Sequence, residues 1–362
     1  MNKGQSNKLD FKGQNIYVGI DVHLKSWSVA VLSEHSVLKK FRQDPGPESL
    51  HNFLTTHYPG ADYHSVYEAG FCGFWIHGKL TGFGIHNIVV NPADVPTMSK
   101  EKLRKTDAVD CGKLARELRS GTLKGIHVPD IATLEMRSLI RLRNRIVKDT
   151  TREKNRIKSF LRFHGIDIPE EFTRHSVGNW SKRFLAWLRG VLLSTEYGRQ
   201  ALNMHIDQFV RLRGMLLEQT RILRMLSRSE ALKGGAIRLL TSVPGIGITT
   251  AMSLAVEIDD IGRFSCADAL ASYIGLIPMC HSSGESQGNG NITLRKHAML
   301  RCYIIEAAWI AIRKDPAMTL AYEGYRKGMN AQKAIVKIAR KLVNRIFFVL
   351  KHQQQYVPCV VN

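Results

Sequence analysis

A long stretch without Gly or Pro divides this chain into parts of different character. Gly and Pro most readily interrupt regular secondary structure, and neither occurs between Thr133 and Phe163. Residues 135–162 carry ten Lys or Arg against three Asp or Glu. The stretch therefore predicts one long, basic, exposed helix, which separates a strand-rich part before Pro129 from a mainly helical part after it.

The part before the long helix alternates β-rich runs with helical patterns. Strands are predicted at 16–20, 27–32, 37–41, 63–67 and 85–90, and helices at 48–58, 74–80 and 106–119. Strands with interleaved helices predict a mixed α/β domain over residues 14–128. The polar residues 1–13 are expected to form a flexible tail.

A second long helix is predicted at about residues 199–228. Along it, apolar residues recur at the seven-residue spacing of a coiled-coil seam, at Leu202, Phe209, Leu216 and Leu223. His205 and Gln219 weaken the seam. Two interpretations are open: an antiparallel hairpin within the chain, or a coiled coil between protomers. The expected organisation is a basic helical spacer, a mainly helical C-terminal domain and a tail, at 129–230, 231–350 and 351–362.

The charge of the chain limits its partners. The 362 residues carry a formal net charge of +21, which favours a polyanion, and nucleic acid first of all, over a small acidic metabolite. No run of about 18 apolar residues could span a bilayer, and the N-terminus lacks the apolar core of a signal peptide. The six cysteines form no CxxC pair. We therefore expect a cytoplasmic nucleic-acid-binding protein with no membrane partner.

Four carboxylates stand out in this basic chain. Asp21 and Glu68 end predicted strands, and Asp107 and Asp110 are three residues apart in a predicted helix, so they share one side of it. Each alone is readily explained as a cap or an ion-pair partner. Together they would repel one another without a cation, and Mg²⁺ prefers carboxylate and phosphate oxygens. The set predicts an Mg²⁺ site for phosphodiester chemistry.

The motifs around these carboxylates resemble those of one enzyme family. Gly-Ile-Asp-Val-His at 19–23, Tyr-Glu-Ala-Gly at 67–70 and Lys-Thr-Asp-Ala-Val-Asp at 105–110 are similar to the motifs of DEDD-type transposases of the insertion sequence 110 group. The resemblance implies an RNase H-like, RuvC-type N-terminal domain that binds Mg²⁺ through its acidic residues. Phosphate contacts are expected from Arg104 and Lys105, which directly precede the helical pair.

A glycine-rich turn lies between two apolar helical patterns of the C-terminal part. Its sequence is Val-Pro-Gly-Ile-Gly at 243–247. One interpretation is a helix-hairpin-helix, in which Gly245 and Gly247 leave backbone N–H groups at the next helix free to hold a phosphate. A plain packing corner between two helices is the competing interpretation.

A serine-rich segment follows this turn. Ser282 and Ser283 precede Gly284. Arg295, Lys296 and Arg301 come after it and are expected to contact the nucleic acid. Most such segments are only polar turns. A serine hydroxyl beside cationic groups could also attack phosphorus if a base or a metal activates it.

The C-terminal motifs resemble the transposase domain of the same family. Pro-Gly-Ile-Gly, Phe-Ser, Leu-x-x-Tyr-x-Gly-Leu-x-Pro and Ser-Ser-Gly occur in the family's order. The resemblance implies that Ser283, or alternatively Ser282, is the nucleophile and meets the acidic site in a homo-oligomer, a dimer or a tetramer. It also implies a structured guide RNA that pairs with donor and target DNA. The family's Ile-Thr-Lys-x-Gly-Asn is Ile-Thr-Leu-Arg-Lys-His here, at 292–297, so Arg295 or Lys296 would supply the charge.

The sequence therefore predicts an insertion-sequence transposase that acts through a covalent serine–DNA intermediate. Its fold would join a RuvC-like α/β domain, a long helical spacer and a mainly α domain with a helix-hairpin-helix. Two alternatives remain: a metal-dependent Holliday-junction resolvase-like nuclease that uses water, and a non-catalytic nucleic-acid-binding protein.

Overall fold

Two compact units make up the chain in the computed structural model, residues 1–128 and residues 129–362. The structure describes residues 10–96, 107–173, 180–228, 233–283 and 286–358. At 107–108, 280–283 and 286–291 the description covers the backbone. Within the described residues, no helix combines the length and the apolar character needed to cross a membrane.

The first unit is built on a mixed five-stranded sheet. Its strands are β1 (Asn15–Val22), β2 (Trp27–Leu32), β3 (Val37–Gln43), β4 (Asp62–Glu68) and β5 (His86–Val90). The spatial order is β3-β2-β1-β4-β5. β1 runs parallel to β4, and β4 to β5, whereas β2 is antiparallel to both of its neighbours. All five predicted strands are present, and the mixed sheet is consistent with an RNase H-like domain.

Helices cover both faces of this sheet because strands such as β2 and β5 carry apolar side chains on both sides. The helices are α1 (Pro47–His57), α2 (Trp75–Gly82) and α3 (Asp107–Arg119), with a short 3-10 turn at Pro92–Asp94. On one face the alternating aliphatic side chains of β1 pack with α1 and α2. On the other face Ala30 and Val66 pack against α3, which therefore lies over the centre of the sheet.

The second unit begins with the predicted long helix. α4 (Ile131–Phe163) starts at the N-cap Asp130, whose carboxylate accepts a hydrogen bond from the backbone N–H of Thr133 at 2.6 Å. Beyond it lie α5 (Glu170–Thr173), α6 (Lys182–Gly190) and α7 (Glu196–Leu226). The sequence reasoning missed both α5 and α6. α5 is a single turn, whereas α6 carries a readable signal, the N-cap Ser181 followed by an apolar face with Phe184 and Leu188.

The apolar seam of α7 packs against α4 of the same chain. Arg143 donates from Nε to Thr220 Oγ1 at 3.3 Å, while Glu153, further along α4, pairs with His205 near the start of α7 at 2.5 Å. The two helices are therefore antiparallel. The seam is buried within one chain, as the interpretation of an antiparallel hairpin predicted. His205 is tolerated there because its ring meets a carboxylate that is only 2% exposed.

The remainder of the second unit is mainly helical, as predicted. Its elements are α8 (Gly234–Thr241), α9 (Ile248–Ile258), a 3-10 turn at Ile261–Arg263, α10 (Ala267–Ile274), β6 (Pro278–Ser283), β7 (Ser286–Ile292), α11 (Ala298–Ala311), α12 (Pro316–Arg326) and α13 (Ala331–His352). α8 to α13 share one hydrophobic core. Beyond α13, Tyr356 donates from its hydroxyl to the buried Asp315, so the described end of the expected tail packs on the domain.

The β6–β7 hairpin was not predicted. No strands were predicted around the serine-rich segment, whereas the structure places the residues on either side of 284–285 in two antiparallel strands. The strands are rich in Ser, Asn, Gln and Gly, which have low β-propensity, so local sequence carries little signal for them.

Candidate active site

Asp21 and Glu68 lie side by side at one edge of the sheet. β1 and β4 are parallel, with Ile20 opposite Tyr67, so the next residue of each strand lies on an adjacent strand about 4.8 Å away. Side chains alternate between the two faces of a strand. Both carboxylates therefore lie on the α3 face of the sheet, since Ile20 and Tyr67 belong to the core on the opposite face.

Gly19 lets α3 lie directly on β1. A Cβ on Gly19 would fall against the carbonyl oxygen of Cys111 and within 2.5 Å of the backbone nitrogen of Ala115. No side chain fits between the strand and the helix at this point. The missing side chain at Gly19, the first residue of the Gly-Ile-Asp-Val-His motif, thus lets α3 pack directly on β1 two residues before Asp21.

The direction of α3 carries its first turn to the carboxylate edge. At its other end, Arg119 donates from Nη1 to the backbone oxygen of Ser33 at 3.2 Å. Ser33 directly follows Leu32, which lies opposite Tyr17 near the start of β1. The C-terminus of α3 is therefore at the start of β1, and its N-terminus, with Asp107 and Asp110, is at the end where β1 and β4 carry Asp21 and Glu68.

The carboxylate of Asp21 affects the pKa of the neighbouring Cys111 thiol. Burial raises the pKa of Cys111, the nearby Lys40 opposes the rise, and the carboxylate of Asp21 adds to it. Asp21 also lies 3.1 Å, Oδ2 to Nε2, from His23. The N-terminal end of α3 carries a partial positive charge, which favours carboxylates nearby.

The residues at the carboxylate edge are of the type that binds a hard divalent cation. Carboxylate oxygens are the ligands that Mg²⁺ accepts, usually together with water and substrate phosphate. Among the side chains that the structure describes, which exclude that of Asp107, no group of three His, Cys, Asp or Glu is close enough to hold a metal ion. Arg104 and Lys105 lie outside the described residues. The site therefore stays a prediction, supported by the backbone geometry.

The close approach at Gly19 can be tested through stability. Replacing Gly19 by Ala is expected to lower the free energy of unfolding by about 1–3 kcal/mol, the usual cost of overpacking, because the helix must move away from the strand. Urea denaturation measures the change. Gly78 is the matched control, since it lies exposed in α2 with nothing near its missing Cβ. Gly78→Ala should be neutral or slightly stabilising; equal losses in both variants would contradict the close approach.

The candidate nucleophiles lie in the hairpin of the second unit. Ser283 ends β6 opposite Ser286 of β7, and Ser282 lies opposite Gln287. Gly284 falls outside the described residues. The two serines are therefore adjacent residues at the end of a strand, next to the connection to β7.

The segment that follows the hairpin is anchored by backbone contacts. Thr293 donates from its backbone N–H to the carbonyl of Ile277 at 3.0 Å, and Arg301 donates from Nη1 to the carbonyl of Thr293 at 2.8 Å. Gly275 has φ +87°, and a Cβ there would lie 2.5 Å from Cβ of Lys296. The motif glycine at 275 thus makes room for the segment that departs from the family pattern. Arg301 is 9% exposed and bonds within the protein.

Glu257 connects this segment to the long basic helix. Its carboxylate is fully buried on α9 and accepts two hydrogen bonds from Arg141 of α4, at 2.7 and 2.8 Å. His297 approaches the same carboxylate, with Nε2 3.3 Å from Oε2. Burial by itself would raise the pKa of Glu257, but the hydrogen bonds from His297 and Arg141 outweigh it and lower the pKa to about 2.

His297 has a defined tautomer in this arrangement. Its Nδ1 accepts a hydrogen bond from the backbone N–H of Leu300 and caps α11, so the proton is on Nε2, which faces Glu257. Sequence reasoning missed Glu257, Arg141 and His297 as a group. The available signal was a lone acidic residue in the apolar helical pattern 248–258, which requires a cationic partner when buried.

The glycine-rich turn joins α8 to α9, as predicted. Gly245 packs on α11 at the carbonyl of Ala307, and Gly247 is the exposed N-cap residue of α9. The corner is therefore both a packing contact and an accessible helix N-terminus. Arg295 and Lys296 are also exposed.

A mixed sheet with carboxylates at the ends of neighbouring parallel strands is consistent with the class of RNase H-like α/β enzymes. Two family models identify the family. Residues 18–166 match the DEDD model of the insertion sequence 110 transposases, and residues 237–323 match the model described as Transposase IS116/IS110/IS902 family. Together the matches cover more than half of the chain. The chain belongs to the IS110 family of DEDD transposases and is by that membership an enzyme that acts on DNA.

Curated relatives agree with this membership. The chain is 27% identical over 243 residues to y4qE of Sinorhizobium fredii, a transposase by its name, covering 67% of this chain and 57% of that protein. It is 25% identical to the transposase of insertion sequence element IS1111A of Coxiella burnetii, covering 79% and 77%. It is 26% identical to that of IS1533 of Leptospira borgpetersenii, covering 69% and 73%.

Proposed function

We propose that this chain moves an insertion sequence by cutting and rejoining DNA through a covalent serine–DNA intermediate. The observation that supports the proposal most directly is the convergence of three chain segments, in which the ends of β1 and β4 meet the N-terminus of α3. Those segments carry all four carboxylates of the family's acidic motif, Asp21, Glu68, Asp107 and Asp110.

The acidic residues would hold Mg²⁺ at the edge of the sheet. When bound, a divalent cation supplies stabilisation of the negative charge that develops on phosphate oxygens. Asp21 and Glu68 extend from neighbouring strands of a rigid sheet, and Asp107 and Asp110 extend from a helix that Gly19 holds close to it. The scaffold would thus position the scissile phosphate with little reorganisation.

The covalent step replaces the phosphodiester bond with a serine–phosphate bond of the same type. The oxygen of Ser283 attacks the phosphorus of the scissile linkage, an Oγ–P bond forms and a bridging P–O bond breaks. The serine proton is transferred, in the net reaction, to the released strand end, which leaves as a hydroxyl. Attack by the hydroxyl of the partner strand then re-forms a phosphodiester and returns the serine, so no ATP is required.

Basic residues would hold the nucleic acid without reading its sequence. We assign backbone phosphate contacts to Arg104, Lys105, Arg295 and Lys296 and to the helix N-terminus after Gly247. Arg301 would support the segment that carries two of them, because it bonds to Thr293. A structured guide RNA would supply sequence recognition by base pairing. The serine and the carboxylates would meet in a homo-oligomer, a dimer or a tetramer.

A covalent adduct tests the proposal. Incubation of the protein with labelled element-end DNA and Mg²⁺ should give a DNA-linked protein band that survives denaturing electrophoresis. Replacing Ser283 by Ala should abolish the band, because no hydroxyl remains to form the Oγ–P bond, while Ser282→Ala should retain it. A band that persists in Ser283→Ala and disappears in Ser282→Ala would move the nucleophile to Ser282. Cleavage without any adduct would favour the resolvase-like nuclease, and binding without cleavage the non-catalytic alternative.

A further inference from the structure

A row of stacked rings crosses the first unit at the end of the sheet opposite the carboxylates. Tyr17, His64 and His86 occupy register positions on β1, β4 and β5. The Tyr17 and His64 rings are 5.4 Å apart and the His64 and His86 rings 5.1 Å apart, with interplanar angles of 23° in both pairs. β5 is the edge strand of the sheet among the strands that the structure describes, and the His86 side chain at its start is exposed. Further along β5, the backbone N–H of Ile126 donates to the carbonyl of Val89 at 2.7 Å.

A cavity of about 420 Å³ lies at the His86 end of the row. It falls within the range of about 300–1,000 Å³ that is usual for small-molecule sites. Its lining includes His64, His77, Thr81, His86, Asn87 and Leu118. The cavity thus combines flat rings, an apolar side chain and polar groups.

His77 lines the cavity from the α2 side of β5, the face opposite to that of His86. Asn87 donates from its amide to Ser65 Oγ at 2.8 Å, and its amide oxygen lies 2.8 Å from Nδ1 of His77. That nitrogen therefore carries a proton, and Nε2 of the neutral ring is an acceptor. Nε2 has no hydrogen-bond partner among the residues that the structure describes.

The charges around the cavity favour a base over a phosphate. No Lys or Arg occurs among its described lining residues, and the carboxylate of Asp62 acts on His64. Burial, together with the charge of His86, lowers the pKa of His64 against the smaller effect of Asp62. A lining that offers rings and no Lys or Arg side chain suits an aromatic base better than an anion.

We propose that this cavity binds one unpaired nucleobase of a single strand, stacked on the outer face of His86. Every base has a flat face, so stacking on a side-chain ring holds a strand without sequence preference. The proposal takes from the proposed function only that the partner is nucleic acid, and it involves neither the carboxylates nor the serines. The strand can be DNA or RNA, and the experiment separates the two.

The test measures binding of short labelled single strands to the full-length protein by fluorescence anisotropy. The probes are a DNA strand, an RNA strand of the same sequence and an abasic DNA strand of the same length. Salt of about 0.3 M weakens the phosphate contribution to affinity. His86→Ala should weaken binding of the base-containing strand about fivefold or more, as expected for loss of one stacked base. His86→Phe, which retains a ring, should bind within twofold of the unchanged protein.

The controls separate stacking from general effects. His51 also stacks on an aromatic ring, that of Phe83 at 4.7 Å, and lies outside the cavity lining. His51→Ala should bind as the unchanged protein does, and His86→Ala should leave the abasic strand unaffected. An effect confined to the RNA or to the DNA probe identifies the source of the base. Unchanged binding of both base-containing strands by His86→Ala, or an equal loss on the abasic strand, would overturn the proposal.

Discussion

Replacing Asp21 by Asn is expected to abolish DNA strand cleavage, with a loss of about a thousandfold or more, while the fold remains intact. Asn keeps the shape of the side chain and can still meet His23, but it removes the negative charge that a cation would neutralise. Glu68→Gln should have the same effect, because its carboxylate lies at the neighbouring strand end. Cleavage of labelled element-end DNA in Mg²⁺ measures the loss, and thermal unfolding checks the fold.

The control for this prediction is on the same strand. Asp62 begins β4, at the end of the sheet opposite Glu68, and is exposed. Asp62→Asn removes the same charge from the same unit and should leave cleavage unchanged. If Asp21→Asn cleaves DNA as well as the unchanged protein, the acidic edge is not the catalytic centre. If Asp62→Asn loses cleavage to the same extent as Asp21→Asn, the loss is an effect of net charge and not of the acidic edge.

Replacing Glu257 by Ala is expected to destabilise the second unit by about 3–5 kcal/mol, the usual effect of removing one partner from a buried ion pair. Arg141 and Arg137 would lose the carboxylate that they face, and Arg137 is itself 8% exposed. Urea denaturation measures the change. Glu196 pairs with Arg199 on the protein surface at 3.8 Å. Glu196→Ala should therefore change the stability little; a comparable loss there would contradict the argument.

The same group gives the protein a defined acid sensitivity. The pKa of Glu257 is about 2 in the folded protein and about 4.5 ordinarily. A lowered carboxyl pKa contributes stability above its ordinary value, and the contribution is lost as pH falls from about 4.5 towards 2. Glu257→Gln, which lacks the titrating group, should show a smaller loss of unfolding free energy over that interval than the unchanged protein does. An identical pH profile in the two proteins would contradict the lowered pKa.

The strands of the first unit were predictable because their apolar residues form short runs with clear boundaries. β1 has the buried core Ile16, Val18 and Ile20, and the Pro-containing segment before α1 marks where β3 ends. The α4 helix was predictable because no residue in it interrupts helical geometry. The β6–β7 hairpin carried a weak local signal, because its residues have low β-propensity. α6 packs its apolar face into a core that it shares with α4 and α7.

The acidic motif shows what residue type and spacing can predict and what they cannot. The sequence identified Asp21, Glu68, Asp107 and Asp110 by residue type and spacing, but spacing cannot say that a strand end and a helix start meet. Two contacts between residues distant along the chain decide that. Gly19 packs against the backbone of Cys111, and Arg119 donates a hydrogen bond to the backbone oxygen of Ser33. The orientation of α3 follows from both contacts together.

The sequence by itself determined the charge of this protein, its family and the chemical groups available for catalysis, because these depend on residue identity and short-range order. Only the tertiary structure decided that the α7 seam is buried against α4, that Glu257 joins α4 to the segment after the serine hairpin, and that three rings line up across β1, β4 and β5. The physical reason is that each of these depends on contacts between residues far apart in the chain. Such contacts are set by packing of whole elements, for which a single sequence carries no local pattern.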